Sequence, residues 1–86
     1  MSDDLRQVYI MKCLGVYKIG WTSDIFNRLN EIRKCNPYPV TLIHLFISEK
    51  PKTAETELHK RFRDKHIHDE WYDLSEEDVC SIKDNS

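Results

Sequence analysis

Two β-rich runs lie so close together in this chain that only a tight turn fits between them. Residues 6–12 and 16–22 are rich in β-branched and aromatic side chains, and residues 13–15 connect them. Gly15 can adopt the positive φ that such a turn needs. The pattern therefore predicts an antiparallel β-hairpin, which is the first constraint on any fold the chain can adopt.

A helix is predicted after the hairpin, because the Thr-Ser-Asp sequence at residues 22–24 is a cluster of N-cap residues. This helix is predicted to continue to about Lys34. Its buried stripe is predicted to contain Ile25, Leu29 and Ile32, with Phe26 alongside. Arg28 falls about 60° from the centre of that stripe, which places it on the rim of the buried face.

The most apolar run of the chain, residues 40–48, is predicted to be the central and best-buried strand. A second helix is predicted to follow it, with Thr53 as the N-cap. Its buried stripe would contain Ala54, Leu58 and Phe62. Relative to Leu58, Glu55 lies about 60° off centre and Glu57 about 100° off on the other side. Glu55 therefore has the rim position, and Glu57 the more solvated one.

The sequence of the last part of the chain predicts a polar loop through His68, then a short extended segment at residues 70–72 and a final helix. Ser75 is the predicted N-cap of that helix, since acidic residues fill the turn after it. The whole order predicts an α+β fold with a small, mostly antiparallel three-stranded sheet and flanking helices. We expect one domain over residues 1–86, with a core at about 6–74 and an acidic C-terminal helix at 75–84.

Charge is distributed unevenly along the chain, although the formal net charge is only −2. Residues 5–66 hold 12 Lys or Arg against six Asp or Glu, whereas residues 67–86 hold one Lys against seven acids. A basic body with acidic ends is compatible with a polyanionic partner. No apolar run approaches the roughly 18 residues of a membrane span, and the N-terminus does not resemble a signal peptide. We therefore expect a cytoplasmic protein that is not secreted.

The order and spacing of several short motifs resemble the GIY-YIG nuclease superfamily. Gln7-Val8-Tyr9 stands where the first motif ends in Tyr, and Lys18-Ile19-Gly20 stands where YIG would. Arg28 matches the superfamily's helix arginine, and Glu55-x-x-Leu58 matches its glutamate-bearing helix. The amino-acid sequences of residues 17–20, 58–62 and 70–72 are similar to those of the short phage and bacterial branch of the superfamily. The resemblance covers about residues 6–74.

The chain departs from the superfamily pattern at two positions. Gln7 replaces the Gly of the first motif, and Lys18 replaces the Tyr of YIG. Tyr17 lies one residue earlier, but side chains alternate along a strand, so Tyr17 faces the opposite side and cannot take that place.

The resemblance implies a divalent-metal-dependent DNA endonuclease or nicking domain with Tyr9, Lys18, Arg28 and Glu55 as catalytic residues. Glu55 would hold Mg²⁺ (or Mn²⁺), which accepts one or two carboxylates together with water and phosphate. Arg28 would stabilise the phosphate, and Tyr9 would deprotonate or orient the attacking water. Lys18 is either the cation that lowers the pKa of Tyr9 or itself the base.

DNA is the expected partner, and a domain this small is expected to need a second copy of itself or a separate specificity protein. The side chains expected to contact nucleic acid are Lys12, Arg33, Lys34, His59, Lys60, Arg61 and Arg63. Two other functions stay open at this point. The chain could be a nucleic-acid-binding module without catalysis, or a protein-interaction regulator that uses the acidic residues Glu76, Glu77, Asp78 and Asp84.

Overall fold

The predicted hairpin opens the computed structural model, which describes residues 6–84. Strands β1 (Gln7–Cys13) and β2 (Val16–Thr22) pair antiparallel, with Cys13 opposite Val16. The two residues between them, Leu14 and Gly15, have φ angles of 52° and 85°. Positive φ at both central positions matches the right-handed twist of the two strands, which sets the register of the hairpin.

Helix α1 (Ile25–Cys35) follows the hairpin as predicted. Its N-cap is Asp24, whose side chain accepts a hydrogen bond from the Asn27 backbone N–H at 3.2 Å. The prediction for Phe26 is wrong, because this side chain is 80% exposed. Phe26 lies about a quarter turn from the centre of the buried stripe, which places its side chain at the exposed flank of the helix.

Within residues 6–84 the sheet has five strands rather than three, in the order β3-β1-β2-β5-β4, and every neighbouring pair is antiparallel. The α+β class is confirmed, but the predicted sheet lacked two short strands: β4 (His66–His68), in the predicted polar loop, and β5 (Trp71–Tyr72), in the segment predicted to be extended. Each is shorter than the runs from which strands are recognised, and β4 is polar and exposed. β5 pairs with the edge of β2 that β1 leaves open, and β4 pairs with β5.

Strand β3 (Thr41–Ile47) lies at an edge of the described sheet, so the prediction of a central position is wrong. It pairs only with β1, its middle residues are half-buried, and Ile47 is exposed. β1 and β2 occupy the interior positions instead. Apolar composition indicates that a segment is a strand, but the order of strands depends on where α1 returns the chain.

The two remaining helices are α2 (Pro51–Arg61) and α3 (Glu76–Asp84), with a 3₁₀ turn at Arg63–Lys65 between them in sequence. The prediction that Thr53 caps α2 is wrong, because the helix begins at Pro51 with no side-chain cap. Proline is favoured at the first helical position, where its missing N–H costs nothing.

Helix α3 is capped by Ser75, as predicted. The Asp78 N–H donates to the Ser75 hydroxyl at 3.1 Å, and the Ser75 N–H donates to the Asp78 carboxylate at 3.0 Å. Lys65 also pairs with Asp78, and this contact holds the pKa of the Asp78 carboxyl below its usual value. One of the four acids proposed for partner docking is therefore engaged within the fold.

Hydrophobic side chains pack on both faces of the sheet. One core contains Ile10, Tyr17, Ile19, Phe62, Tyr72, Leu74, Val79 and Ile82. The other contains Tyr9, Met11, Cys13, Ile25, Ile32 and Val40. The sheet is thus covered by α2 and α3 on one side and by α1 on the other, and β1 is buried on both faces.

No helix within residues 6–84 has the length and apolar character needed to cross a membrane.

Candidate active site

Three of the four predicted catalytic residues meet in one cleft beside the open end of the hairpin. We call this the active cleft; its volume is about 340 Å³. The residues that line it are Tyr9, Trp21, Thr22, Ser23, Arg28, Glu55 and Glu70. Tyr9 comes from β1, Arg28 from α1 and Glu55 from α2, so the cleft exists only in the folded chain. Lys18, the fourth predicted residue, lies beside it through a contact with Glu70.

Gly20 makes room for the Tyr9 side chain. The two residues are opposite each other in the β1–β2 pair. A Cβ atom on Gly20 would lie 2.5 Å from the Tyr9 hydroxyl oxygen and 2.7 Å from the ring carbon that carries it. Tyr9 is 1% exposed, so its ring has little freedom to move away. Gly20 therefore fixes where the Tyr9 hydroxyl enters the active cleft.

Tyr9 is a neutral phenol in this environment. Burial, followed by the negative charge of Glu70, raises the pKa of Tyr9 to about 12. Arg28 is the cation that acts against these effects, and Glu55 adds to them. Burial and the nearby carboxylates outweigh the positive charge of Arg28, so the pKa of Tyr9 is raised rather than lowered.

Glu55 is a half-buried carboxylate held against the end of β2. It accepts a hydrogen bond from the Trp21 backbone N–H, which favours the ionised form. Burial and the charge of Glu70 act more strongly, so the pKa of Glu55 is raised above its usual value. Glu57 is exposed and does not line the cleft.

Arg28 is held at the opposite wall by the local structure at the start of α1. Gln7 accepts a hydrogen bond from the Ile25 backbone N–H at 3.1 Å, which ties the first residue of α1 to β1. The Arg28 side chain is 45% exposed, and its ion pair with Glu31 is long, at 4.0 Å. A contact of that length is weak, so the guanidinium can turn toward a bound anion. Gln7, one of the departures from the superfamily motif, thus has a structural role.

Glu70 is the cleft residue for which no role was predicted. Its carboxylate lies 3.1 Å from the Lys18 ammonium, and its backbone carbonyl accepts a hydrogen bond from the Ile19 N–H at 3.1 Å. Lys18 is only 16% exposed and lies 5.5 Å from the centre of the Trp71 ring. The Lys18 side chain is therefore held between the Glu70 carboxylate and the Trp71 ring.

The sequence around Glu70 was singled out, but its position next to the cleft depends on the pairing of β5 with β2. Residues 70–72 were part of the resemblance to the short GIY-YIG branch, and the segment was predicted to be extended. Only the pairing of β5 with β2 places Trp71 opposite Lys18 and brings Glu70 next to the cleft. Pairing between segments about 50 residues apart cannot be read from local pattern.

None of the seven predicted nucleic-acid contacts lines the active cleft. Four of them make contacts within the protein. Arg33 donates to the Val40 carbonyl at 3.3 Å, and His59 bonds the Ile19 carbonyl at 3.1 Å while stacking on Tyr72.

Arg61 donates to the Ser81 hydroxyl and lies over the Phe62 ring. Lys12 lies over the Tyr17 ring, 5.6 Å from its centre. The other three, Lys34, Lys60 and Arg63, are exposed.

The chemistry of the active cleft fits a divalent cation. Glu55 and Glu70 each disfavour ionisation of the Tyr9 phenol, and Glu70 disfavours ionisation of Glu55. A dication would relieve this repulsion, and hard carboxylate oxygens are the ligands that Mg²⁺ prefers. Within residues 6–84 no group of three or more His, Cys, Asp or Glu side chains is placed to hold a metal. The side chains that could hold an ion here are Glu55 and Glu70, with water and substrate as further ligands.

The pKa of Tyr9 gives a direct test of this electrostatic description. In an absorbance titration, the difference between the wild type and Tyr9→Phe should show one tyrosine ionising near pH 12, above its ordinary value of 10.0. The native fold binds the phenol proton more tightly than the unfolded chain. The resulting stabilisation is complete below about pH 10 and is lost as the pH rises toward 12.

Glu70→Gln should lower the pKa of Tyr9, because it removes the second-largest cause of the rise. Circular dichroism recorded at each pH would show whether the fold persists. An unchanged Tyr9 titration in folded Glu70→Gln would contradict the proximity of the two groups.

The fold and the cleft define a small α+β domain in which a phenol, a guanidinium and two carboxylates from separate elements surround one polar cavity. The sequence of this domain also matches a known protein family. The T5orf172 domain family matches residues 6–85, and the chain belongs to that family. The family is associated with nuclease-related domains. No curated protein and no solved structure gave a match.

Proposed function

We propose that this domain is a divalent-metal-dependent DNA endonuclease that hydrolyses a phosphodiester bond in the active cleft. The observation that supports this most is the convergence of Tyr9, Arg28 and Glu55 from three different elements. Side chains of these types at one point provide a hydrogen-bond donor, a fixed positive charge and a metal ligand. The proposal is thus of the GIY-YIG type, and membership of a nuclease-associated family is compatible with it.

The side chains of the cleft have separate tasks in this proposal. Arg28 binds the non-bridging oxygens of the scissile phosphate and stabilises the negative charge that develops on them. Mg²⁺ or Mn²⁺, held by Glu55, would supply a Lewis acid and a more acidic bound water. Lys18 keeps Glu70 in place and contributes positive charge behind it.

Tyr9 acts as a hydrogen-bond donor while its phenol is neutral. A pKa of about 12 leaves very little phenolate near neutral pH, so the hydroxyl orients the attacking water or the phosphate. A cation bound near the two carboxylates would offset the charges that raise the pKa of Tyr9. Such a cation, rather than Lys18, would make the Tyr9 phenol more acidic.

We also propose a partner and a cellular setting for this domain. DNA is the partner, and a second copy of the chain or a separate protein provides site selection. The three cysteines, Cys13, Cys35 and Cys80, are free thiols, which fits the reducing cytoplasm of a bacterial or phage-infected cell.

Supercoiled plasmid incubated with the protein and Mg²⁺ or Mn²⁺ tests the proposed function. Relaxed circles should accumulate with the wild type, and much more slowly with Arg28→Ala, by about 100-fold or more. Both proteins should be inactive in the presence of a chelator. The proposal fails if the wild type produces no relaxed circles above the Arg28→Ala level. DNA binding without cleavage would instead indicate the non-catalytic binding module.

A further inference from the structure

A second cavity adjoins the active cleft and has a different character. Its volume is about 560 Å³, within the range of small-molecule sites. We call it the basic cleft; the residues that matter for its chemistry are Arg6, Trp21, Ser23, Glu49, Lys50 and Lys52. Trp21 and Ser23 also line the active cleft, so the two cavities are neighbours.

The basic cleft carries the positive charge that the active cleft lacks. Arg6, Lys50 and Lys52 contribute three positive charges against the single carboxylate of Glu49. The active cleft has Arg28 against two carboxylates. A polyanion that reaches the active cleft is therefore attracted mainly by the neighbouring cavity.

Three features make this cavity a preformed site rather than a group of surface lysines. Arg6 donates to the Glu49 backbone carbonyl at 3.1 Å, which connects the start of β1 to the chain before α2. The Lys50 N–H donates to the Ser48 hydroxyl at 3.1 Å. Helix α2 begins here without a side-chain cap, so the positive end of its dipole adds to the charge of the cavity.

Trp21 supplies the second kind of contact that a nucleotide needs. It is half-buried at the boundary of the two cavities, and its backbone N–H is bonded to Glu55. The backbone of Trp21 is therefore tied to the proposed metal ligand, and its side chain lies at the boundary of the two cavities. Aromatic rings in this setting stack on bases without sequence preference, and this stacking is a major part of single-strand binding.

We propose that the basic cleft binds the nucleotide next to the scissile phosphodiester, with its base against Trp21 and its phosphates at Lys50, Lys52 and Arg6. The inference rests on the proposed function. It places the DNA strand away from the seven residues that the sequence predicted as nucleic-acid contacts, five of which lie on α1 and the C-terminal half of α2. None of those seven residues lines the basic cleft.

The test uses Glu55→Gln to prevent cleavage and Trp71→Phe to leave Trp21 as the single tryptophan of the chain. Addition of a short single-stranded oligothymidylate should quench Trp21 fluorescence. By fluorescence anisotropy of a labelled oligothymidylate, Trp21→Ala in the Glu55→Gln background should weaken binding about fivefold or more. Trp21→Phe retains a stacking surface and should bind nearly as well as the parent, which separates stacking from misfolding.

Two charge-matched double variants, also in the Glu55→Gln background, complete the test. Lys50→Ala/Lys52→Ala should reduce the slope of log affinity against log salt by about 1.4, the value for two lost phosphate contacts. Lys34→Ala/Lys60→Ala removes the same charge from the sequence-predicted set and should reduce the slope less.

The inference is overturned if binding leaves Trp21 fluorescence unchanged, or if the Lys34/Lys60 pair reduces the slope as much as the Lys50/Lys52 pair does. Oligothymidylate that does not bind at all also overturns it. Nicking of plasmid by the wild type is scored separately. If the wild type nicks plasmid but substitution of Trp21, Lys50 and Lys52 does not change oligothymidylate binding, this inference is wrong and the proposed function is unaffected.

Discussion

Glu55→Gln is expected to lower the rate of Mg²⁺-dependent plasmid nicking by about 100-fold or more and, at the same time, to increase the stability of the fold. The loss of rate follows from the loss of the carboxylate that would hold the metal, since a metal's charge stabilisation is worth several kcal/mol. Gln has the same shape and its oxygen can still accept the hydrogen bond from the Trp21 N–H.

The gain in stability follows from the raised pKa of Glu55. Burial and the charge of Glu70 disfavour the carboxylate in the fold, so ionised Glu55 costs stability at neutral pH. A group with a raised pKa contributes most below its unfolded value of 4.5, and that contribution is lost as the pH rises through the folded value. The advantage of Glu55→Gln should therefore be present at pH 7 and disappear below about pH 4.5.

Urea unfolding at several pH values measures this difference. Mg²⁺ provides an independent check, because a ligand that binds only the native state raises its stability. Mg²⁺ should raise the melting temperature of the wild type and leave that of Glu55→Gln unchanged. If Glu55→Gln were less stable than the wild type at pH 7, the conclusion that ionised Glu55 destabilises the fold would be wrong.

Gly20→Ala is expected to damage both stability and activity. The new Cβ would lie 2.5 Å from the Tyr9 hydroxyl oxygen, and both the ring and the backbone around it are buried. Overpacking of this kind costs about 1–3 kcal/mol, and each kcal/mol lowers the melting temperature by roughly 4–8 °C in a domain of this size. The nicking rate should fall as well, because Tyr9 can only be accommodated by leaving its position in the active cleft.

Gly15→Ala is the matched control. Gly15 has a φ of 85° but no atom within 4 Å of a Cβ atom, so its replacement strains the turn without touching the cleft. It should lower stability and leave the rate of the folded protein unchanged.

A double-mutant cycle with Tyr9→Phe locates the clash. Removing the hydroxyl relieves the shortest contact, so the stability losses of Gly20→Ala and Tyr9→Phe should be less than additive. Additive losses would show that Gly20 and Tyr9 do not interact as described.

Local signals predicted the parts of the fold that are determined locally. Gly15 indicated the hairpin turn, Asp24 capped α1 and Ser75 capped α3, because each of these depends on residues only a few positions apart. The rim positions of Arg28 and Glu55 came from helical periodicity, and both side chains do line one cleft.

Features that depend on distant pairing could not be predicted in the same way. The edge position of β3, the strands β4 and β5 and the approach of Glu70 to Lys18 all require the complete sheet. The basic cleft is a further example, since it is assembled from the starts of β1 and α2 and the end of β2. A pattern of lysines and arginines shows that a chain is basic, but not which of them face the substrate.

The rate of plasmid nicking as a function of Mg²⁺ concentration, compared between Glu55→Gln and Glu57→Gln, tests the proposed active cleft most directly. Both variants lose one carboxylate from α2, and only Glu55 lines the cleft. We expect wild type and Glu57→Gln to show the same saturable dependence on Mg²⁺, and Glu55→Gln to show none. Equal nicking by the two variants, or no nicking by the wild type at any Mg²⁺ concentration, would contradict a metal-dependent nuclease site at Glu55.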